Sequence, residues 1–290
     1  MNPKTDNALV DVEGRQVKLT HLGKPLYPDG YTKGEVVQYF VNIAPAMLPW
    51  LRDRPATLVR YPDGTDHDGF FAKHAPSRRP DWIRTATVTS PGSGSSIEYI
   101  VIDDLPTLMW AANQAALEIH TPPWRLADPD HPDTLVLDLD PGHPATVIEC
   151  ARVAEATRDL LETHGLPCSV ATSGSKGLHL IAPLDGATGD QARDLAHTIA
   201  RTLERAHPDL IVSRMAKDAR TGKVFIDWSQ AGGRKTNITA YSLRRAPTPS
   251  IATPVTWPEL AAAHHPADLH FTPDQVVDRV RRFGDLLQAQ

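Results

Sequence analysis

Two aspartates, Asp138 and Asp140, sit at alternate positions in the apolar run LVLDLDPG (135–142). Side chains two apart on a strand share a face, about 6.5–7 Å apart along the chain. At an effective dielectric near 20, two such carboxylates repel by roughly 2–3 kcal/mol. A bound cation is the usual reason to keep that cost; two exposed acids at a strand end are the plain alternative. Leu137 and Leu139 face the other way and mark the strand as buried. A second segment, TSGSKGLHL (172–180), combines two glycines with Ser173, Ser175 and Lys176, and its backbone N–H groups suit phosphate oxygens. It lacks the GxxxxGK[ST] spacing of a Walker loop. His179 either reaches the same ligand or is a core histidine. A third acid, Asp227, ends the apolar stretch of GKVFIDWSQ (222–230), as a further ligand or as a cap. Three strand-end carboxylates can hold two divalent ions, Mg²⁺ or Mn²⁺, which stabilise the attacking and leaving oxygens of an in-line displacement. The Ser/Lys/His loop could hold a triphosphate beside them.

Such residues need strands to position them. The apolar patterning predicts helices over 33–48, 105–120 (running into a strand or loop at 119–121), 144–163 and 189–206, with short C-terminal helices at 257–263 and 273–287. Strands are expected at 56–62, 96–102, 134–140, 168–174, 177–184, 223–229 and 236–243. Strands and helices do not alternate regularly, so the expected architecture is α+β (mixed α/β), with mixed β-sheets flanked by helices. A break near 120–133 is expected to separate an N-terminal part from an acidic core.

At 290 residues the chain can bury a full core. No apolar run is long enough to span a bilayer, and MNPKTDNALVDVEGRQ has no secretory apolar stretch. Cys150 and Cys168 form neither a CxxC pair nor a zinc pattern, which fits reduced thiols in a cytoplasmic protein without a membrane partner. The net charge of −5 is unevenly spread: residues 201–245 hold ten Lys/Arg against four acids, while 126–151 hold six acids and no Lys or Arg. An acidic pocket beside a basic surface suits a metal-dependent enzyme acting on polyanions; ordinary surface charge would give the same counts.

In this order, LVLDLDPG, TSGSKGLHL and VFIDWSQ resemble the three motifs of the archaeo-eukaryotic primase superfamily, in the form of the polymerase domain of bacterial ligase D used in non-homologous end joining. The likeness extends to KPLYPDGYTKGEVVQYF, PATLVRYPDG, GFFAKH, QAALEIHTPPWR and KTNITAYSLRRA, and covers about residues 17–287. It implies one primase-like domain over 1–290, with a DNA-end-binding part (about 1–125), a catalytic core (about 126–250) and C-terminal helices (about 251–290). It implies a template-directed polymerase that adds NTPs, ribonucleotides before dNTPs, to DNA 3′-ends.

The resemblance makes Asp138, Asp140 and Asp227 the catalytic, metal-binding carboxylates, with Asp227 most concerned with the ion at the primer 3′-hydroxyl. It gives Ser173, Lys176 and His179 to the triphosphate, and Gln230 and Arg244 to nucleotide and active-site contacts. His120 falls near the sugar, where a 2′-hydroxyl contact would favour ribonucleotides. Lys24 and Lys33 match lysines on the 5′-phosphate of a DNA end or gap. Phe70 and Phe71 match aromatics that stack on template bases, and Arg220 lies in a loop that reaches the primer end or active site. Three departures stand out: His21 where asparagine is expected, Ala231 in place of asparagine, and Ala240 in place of proline. The chain has no KxDG ligase motif, so it is expected to be a stand-alone polymerase or an excised domain, working with Ku and a separate ATP-dependent DNA ligase. Two alternatives remain at this point. A haloacid-dehalogenase-like phosphatase could use DLDPG; a non-catalytic DNA-end-binding module would need no turnover at all.

Overall fold

The computed structural model describes residues 6–89, 94–233 and 235–287. A hairpin, β1 (Ala8–Val12) and β2 (Arg15–Leu19), leads into the long helix α1 (Lys33–Leu51). Then come β3 (Pro55–Arg60), β4 (Phe70–Ala72), β5 (Thr85–Thr89), β6 (Ser96–Val101), α2 (Leu105–Asn113) and β7 (Ala116–Thr121). The middle of the chain forms β8 (Thr134–Pro141), α3 (Val147–Thr163), β9 (Ser169–Thr172), β10 (Leu178–Pro183), α4 (Gly189–Ala206), β11 (Ile211–Val212) and β12 (Val224–Asp227). The last stretch gives β13 (Asn237–Ile238), β14 (Leu243–Arg244), β15 (Ser250–Ile251), β16 (Pro254–Val255), α5 (Trp257–Ala262) and α6 (Pro273–Phe283).

These elements build two large sheets, the mixed α+β architecture expected from the sequence. One runs β11-β12-β8-β10-β9-β16; the other runs β13-β7-β3-β6-β5, with β4 also on β3. Leu135, Leu137 and Leu139 of β8 are buried in one apolar cluster with Cys150, Val153 and Ala154 of α3 and Ala196 and Ile199 of α4. The second sheet has its own cluster, where Phe40, Ile43 and Met47 of α1 meet Leu108 of α2, Leu117 and Ile119 of β7, and Val276 of α6. The break near 120–133 lies between the last strand of one sheet and the first of the other, yet β13 returns to pair with β7. Arg234, counted above in the basic stretch, lies outside the described residues. Among the described residues no helix is long and apolar enough to cross a membrane.

Four local expectations need correction. The helix expected over 105–120 stops at Asn113; Ala115 turns left-handed (φ 56°) and Ala116–Thr121 becomes a strand. Alternation of Leu117 and Ile119 with Glu118 and His120, satisfied by pairing with β3, outweighs the helix propensity of the alanines. The strand expected over 223–229 ends at Asp227, whose carboxylate accepts the Ser229 N–H (3.1 Å) and starts a 3₁₀ turn. The strand expected over 236–243 is two short pieces on different sheets, separated by Tyr241 in a left-handed conformation (φ 70°). The first helix continues past Pro49 to Leu51, because Met47 and Leu51 are fully buried and hold the last turn.

A charged clasp ties the segment before β3 to the start of β8. Arg54, immediately before β3, its side chain 3% exposed, clasps both Asp133 oxygens (2.5 and 2.6 Å) and donates to the Pro122 carbonyl (3.0 Å). Asp133 immediately precedes β8 and also accepts from Arg125 (2.8 Å). Removing the guanidinium leaves the Pro122 carbonyl without this donor and Asp133 with Arg125 alone. Arg54→Met is therefore expected to lower the unfolding free energy by roughly 3 kcal/mol. Denaturant unfolding checks this: the midpoint should fall at constant slope, and an unchanged midpoint would show that this clasp contributes nothing.

Candidate active site

β8 is the spine of the site. With Leu137 and Leu139 turned into the core, Asp138 and Asp140 stand on the opposite face. β12 pairs antiparallel with β8 so that Asp227 lies directly across from Asp138. On the other side β10 places His179 across from Asp138, with Nε2 3.5 Å from Oδ1. Directly opposed residues of antiparallel strands share a face, so the two registers assemble three acids and a histidine around one strand. Burial pushes the Asp140 carboxyl above its ordinary range, and the charges of Asp138 and Asp227 add to that; Lys176 and Arg220 pull the other way without cancelling it.

The segment between β9 and β10 closes over this row. The Ser173 hydroxyl oxygen accepts from the backbone N–H groups of Ser175 (3.3 Å) and Gly177 (3.1 Å), so Ser173 shapes the loop from within. Gly174 is left-handed (φ 66°), and a Cβ there would stand 2.6 Å from the Ala252 backbone nitrogen and 2.7 Å from Arg244 Cγ. At Gly177 a Cβ would lie 2.2 Å from the Leu139 carbonyl oxygen. Both glycines let the loop press against its neighbours, leaving Ser175 and Lys176 exposed above the carboxylates.

A cavity of about 250 Å³ results, lined by Asp138, Asp140, Ser173, Ser175, Lys176, His179, His120, Gln230, Asn237 and Arg244 among others. Its far wall comes from β7 and β13 of the other large sheet and from β14, which pairs with β15 in a separate two-stranded sheet. His120 of β7 donates or accepts through Nε2 to Glu118 Oε2 (3.1 Å), and Arg244 of β14 reaches the same oxygen (3.4 Å). Gln230 donates to Asp227 Oδ2 (3.1 Å). Glu118 was not among the candidates read from the sequence. Its signal, an acid two residues before His120, becomes visible only once 116–121 is known to be a strand.

The remaining candidates lie outside the cavity. Arg220 spreads its guanidinium 3.6 Å from the Phe225 ring centre and donates to the Met215 carbonyl (2.7 Å). Phe70 and Phe71 are 46% and 66% exposed on β4, not core residues, and Phe71 stands 6.1 Å from the His120 ring. Lys24 is partly exposed beside Asp63 (3.4 Å). Lys33 is buried instead, donating to the Asn113 carbonyl (3.0 Å) and the Thr20 hydroxyl (3.4 Å). Burial, and then the charge of Lys24, lower its amine's pKa, while Asp6 raises it. His21 is left-handed (φ 53°), a conformation that asparagine and histidine both tolerate better than most residues. Ala231 and Ala240 are buried and do not line the cavity.

The donors suit a hard divalent cation in kind: three carboxylates and no thiolate. Among the described residues, however, no three of the acids, histidines and cysteines already stand as a coordinating group. Asp227 is already engaged: its Oδ1 accepts the Ser229 N–H and hydroxyl (3.1 and 2.6 Å) and its Oδ2 accepts from Gln230. A metal would draw Asp227 from these partners.

Comparison with known proteins decides the family. The model for the LigD primase-polymerase domain matches residues 32–287. The chain belongs to that family. It is 43% identical over 284 residues to the multifunctional non-homologous end joining protein LigD of Mycobacterium bovis, and 31% identical over 272 residues to the bifunctional LigD of Bacillus subtilis. These matches cover 94% and 93% of the chain but only 37% and 43% of the relatives, so the chain spans well under half of their length. The polymerase domain of Mycobacterium tuberculosis ligase D, solved in complex with DNA, superposes with a TM-score of 0.89 at 43% identity, covering 94% of this chain and 96% of that one. A dehalogenase-like phosphatase is thereby set aside. The turn after Asp227 (Trp228–Ala231) also lacks the second acid such an enzyme needs.

The tight seat of the LigD-type loop gives a direct check. Gly177→Ala forces the loop off the Leu139 carbonyl and is expected to cost about 1–3 kcal/mol. Thermal unfolding should show a clearly lower midpoint; a wild-type midpoint would mean that the loop does not press on β8.

Proposed function

We propose that the chain is a template-directed nucleotidyltransferase that adds NTPs, ribonucleotides in preference to dNTPs, to DNA 3′-ends during gap filling in non-homologous end joining. The observation that carries this is the meeting of three acids around one strand, with Asp227 paired across from Asp138, while Asp138 and Asp140 share one cavity with Ser173, Lys176 and His179. Two Mg²⁺ or Mn²⁺ ions, when held by the three carboxylates, supply activation of the 3′-hydroxyl and neutralisation of charge on the leaving pyrophosphate.

The chain's own groups do the positioning. Lys176, exposed on the loop, holds the triphosphate as a charge-assisted donor. His179, fixed by its place across from Asp138, borders the same phosphates. His120, Gln230 and Arg244 form the wall against the sugar and base. Exposed Phe70 and Phe71 offer faces for stacking on template bases, each worth on the order of 1–3 kcal/mol without regard to sequence. Lys24 is the exposed cation for a 5′-phosphate at a gap, with the amine of Lys33 set behind it. Arg220, between Phe225 and the carboxylates, faces the primer end. The mycobacterial relative was solved in complex with DNA, which supports DNA as the partner. A polymerase of this kind would work with Ku and an ATP-dependent ligase, in the cytoplasm at the nucleoid.

Primer extension on a gapped, 5′-phosphorylated duplex with Mn²⁺ and NTPs tests the proposal. Wild-type protein is expected to extend the primer, chelation by EDTA to stop it, and Asp140→Ala to remove detectable extension while DNA binding stays within about twofold, since the carboxylate adds no favourable DNA contact. Binding without extension by the wild type would favour a non-catalytic end-binding module. Extension retained by Asp140→Ala would refute the role of the carboxylates.

A further inference from the structure

Glu118 is a buried acid, 7% exposed, at the boundary between the two sheets. Its two oxygens serve different groups. Oε1 accepts the Tyr61 hydroxyl (3.2 Å) and the Arg245 backbone N–H (3.1 Å), both scaffold. Oε2 meets His120 Nε2 (3.1 Å) and Arg244 Nη1 (3.4 Å), and both of these residues line the cavity. Burial alone would push this carboxyl up; the hydrogen bond with His120, the Arg244 charge and the Arg245 N–H together hold it below the ordinary carboxylate range.

An ionised carboxylate only accepts hydrogen bonds. The imidazole nitrogen that faces it must therefore carry the proton, and in the neutral ring the other nitrogen, Nδ1, keeps its lone pair. Nδ1 is then the nitrogen left for a ligand in the cavity, as an acceptor. A sugar hydroxyl can donate to it; the C–H of a deoxy position cannot. A site built to accept a hydroxyl proton rejects the analogue lacking it, because a partly buried polar atom is left unpaired.

Resting on the nucleotidyltransferase function proposed above, we infer that Glu118 is a positioning residue that locks His120 in its Nε2–H form, so that Nδ1 accepts the ribose 2′-hydroxyl and sets the preference for ribonucleotides. Arg244, on the same oxygen, is held against the nucleotide without regard to its sugar.

Glu118→Gln separates these effects, since the amide oxygen can still serve Tyr61 and Arg245 while the amide nitrogen now faces His120 and Arg244. The ratio of kcat/KM for an NTP to that for the matching dNTP should fall about tenfold in Glu118→Gln and by a similar factor in His120→Ala. Glu118→Gln should add no further loss of the ratio in the His120→Ala background. A role that is only structural would lower NTP and dNTP use equally and leave the ratio at the wild-type value, which would overturn the inference, as would a full further loss in the double variant. Histidine ¹⁵N NMR reads the same point without turnover: His120 should show a protonated Nε2 in the wild type and lose that preference in Glu118→Gln. A protonated Nδ1 in the wild type would also overturn it. Absence of nucleotide incorporation by the wild type would instead count against the proposed activity, with the NMR result still deciding the role of Glu118.

Discussion

Like charge packed onto one face of a strand is the constraint around which this molecule is arranged. Asp138 and Asp140 cannot move apart, because their spacing is set by the pleat of β8 and their face by Leu137 and Leu139 in the core. Asp227 is brought against them by the register of β12. The consequence is visible in the Asp140 carboxyl, which burial and its two acidic neighbours hold above its ordinary range despite Lys176 and Arg220. The surrounding structure tolerates this repulsion rather than cancelling it. Asp227 is partly quenched by Ser229 and Gln230, and Asp138 meets His179.

The second sheet does the complementary work. It contributes no carboxylate to the row; it carries the wall that faces the row across the cavity. There β7 meets β14, a strand of the small β14-β15 sheet far away in sequence, through one buried acid, Glu118. The clasp of Arg54 on Asp133 joins β3 to the start of β8, so the wall and the carboxylate row are held on one frame. Gly174 completes the junction by letting the phosphate-type loop sit against Arg244 and the backbone beside β15. The site belongs to the seam between the two sheets.

What the sequence alone disclosed follows from the range of the signals involved. Asp138, Asp140 and the glycine-bounded loop were legible because each lies within a short window whose alternation or turn chemistry can be read locally. Asp227 was legible as the end of an apolar strand, but its partner across β8 was not, since register is a property of two segments. Glu118 was hidden because the helix-favouring composition before it, in LPTLMWAANQAALEIH, obscured the two-residue alternation that pairing with β3 reveals. The splitting of 236–243 was equally invisible: strands of two residues leave no periodic trace, and a left-handed tyrosine at 241 is imposed by tertiary packing. The burial of Lys33 and the exposure of Phe70 and Phe71 run against their usual preferences. Only the fold shows them.

The proposed function requires the three carboxylates to form one cation site. Diffraction from crystals soaked in Mn²⁺, with the anomalous signal located at the manganese edge, tests it most directly. The expected result is manganese held by oxygens of Asp138, Asp140 and Asp227 together, with Asp227 drawn away from Gln230. Manganese bound elsewhere, or Asp227 still engaged by Ser229 and Gln230 while the other two aspartates hold the metal, would contradict the account.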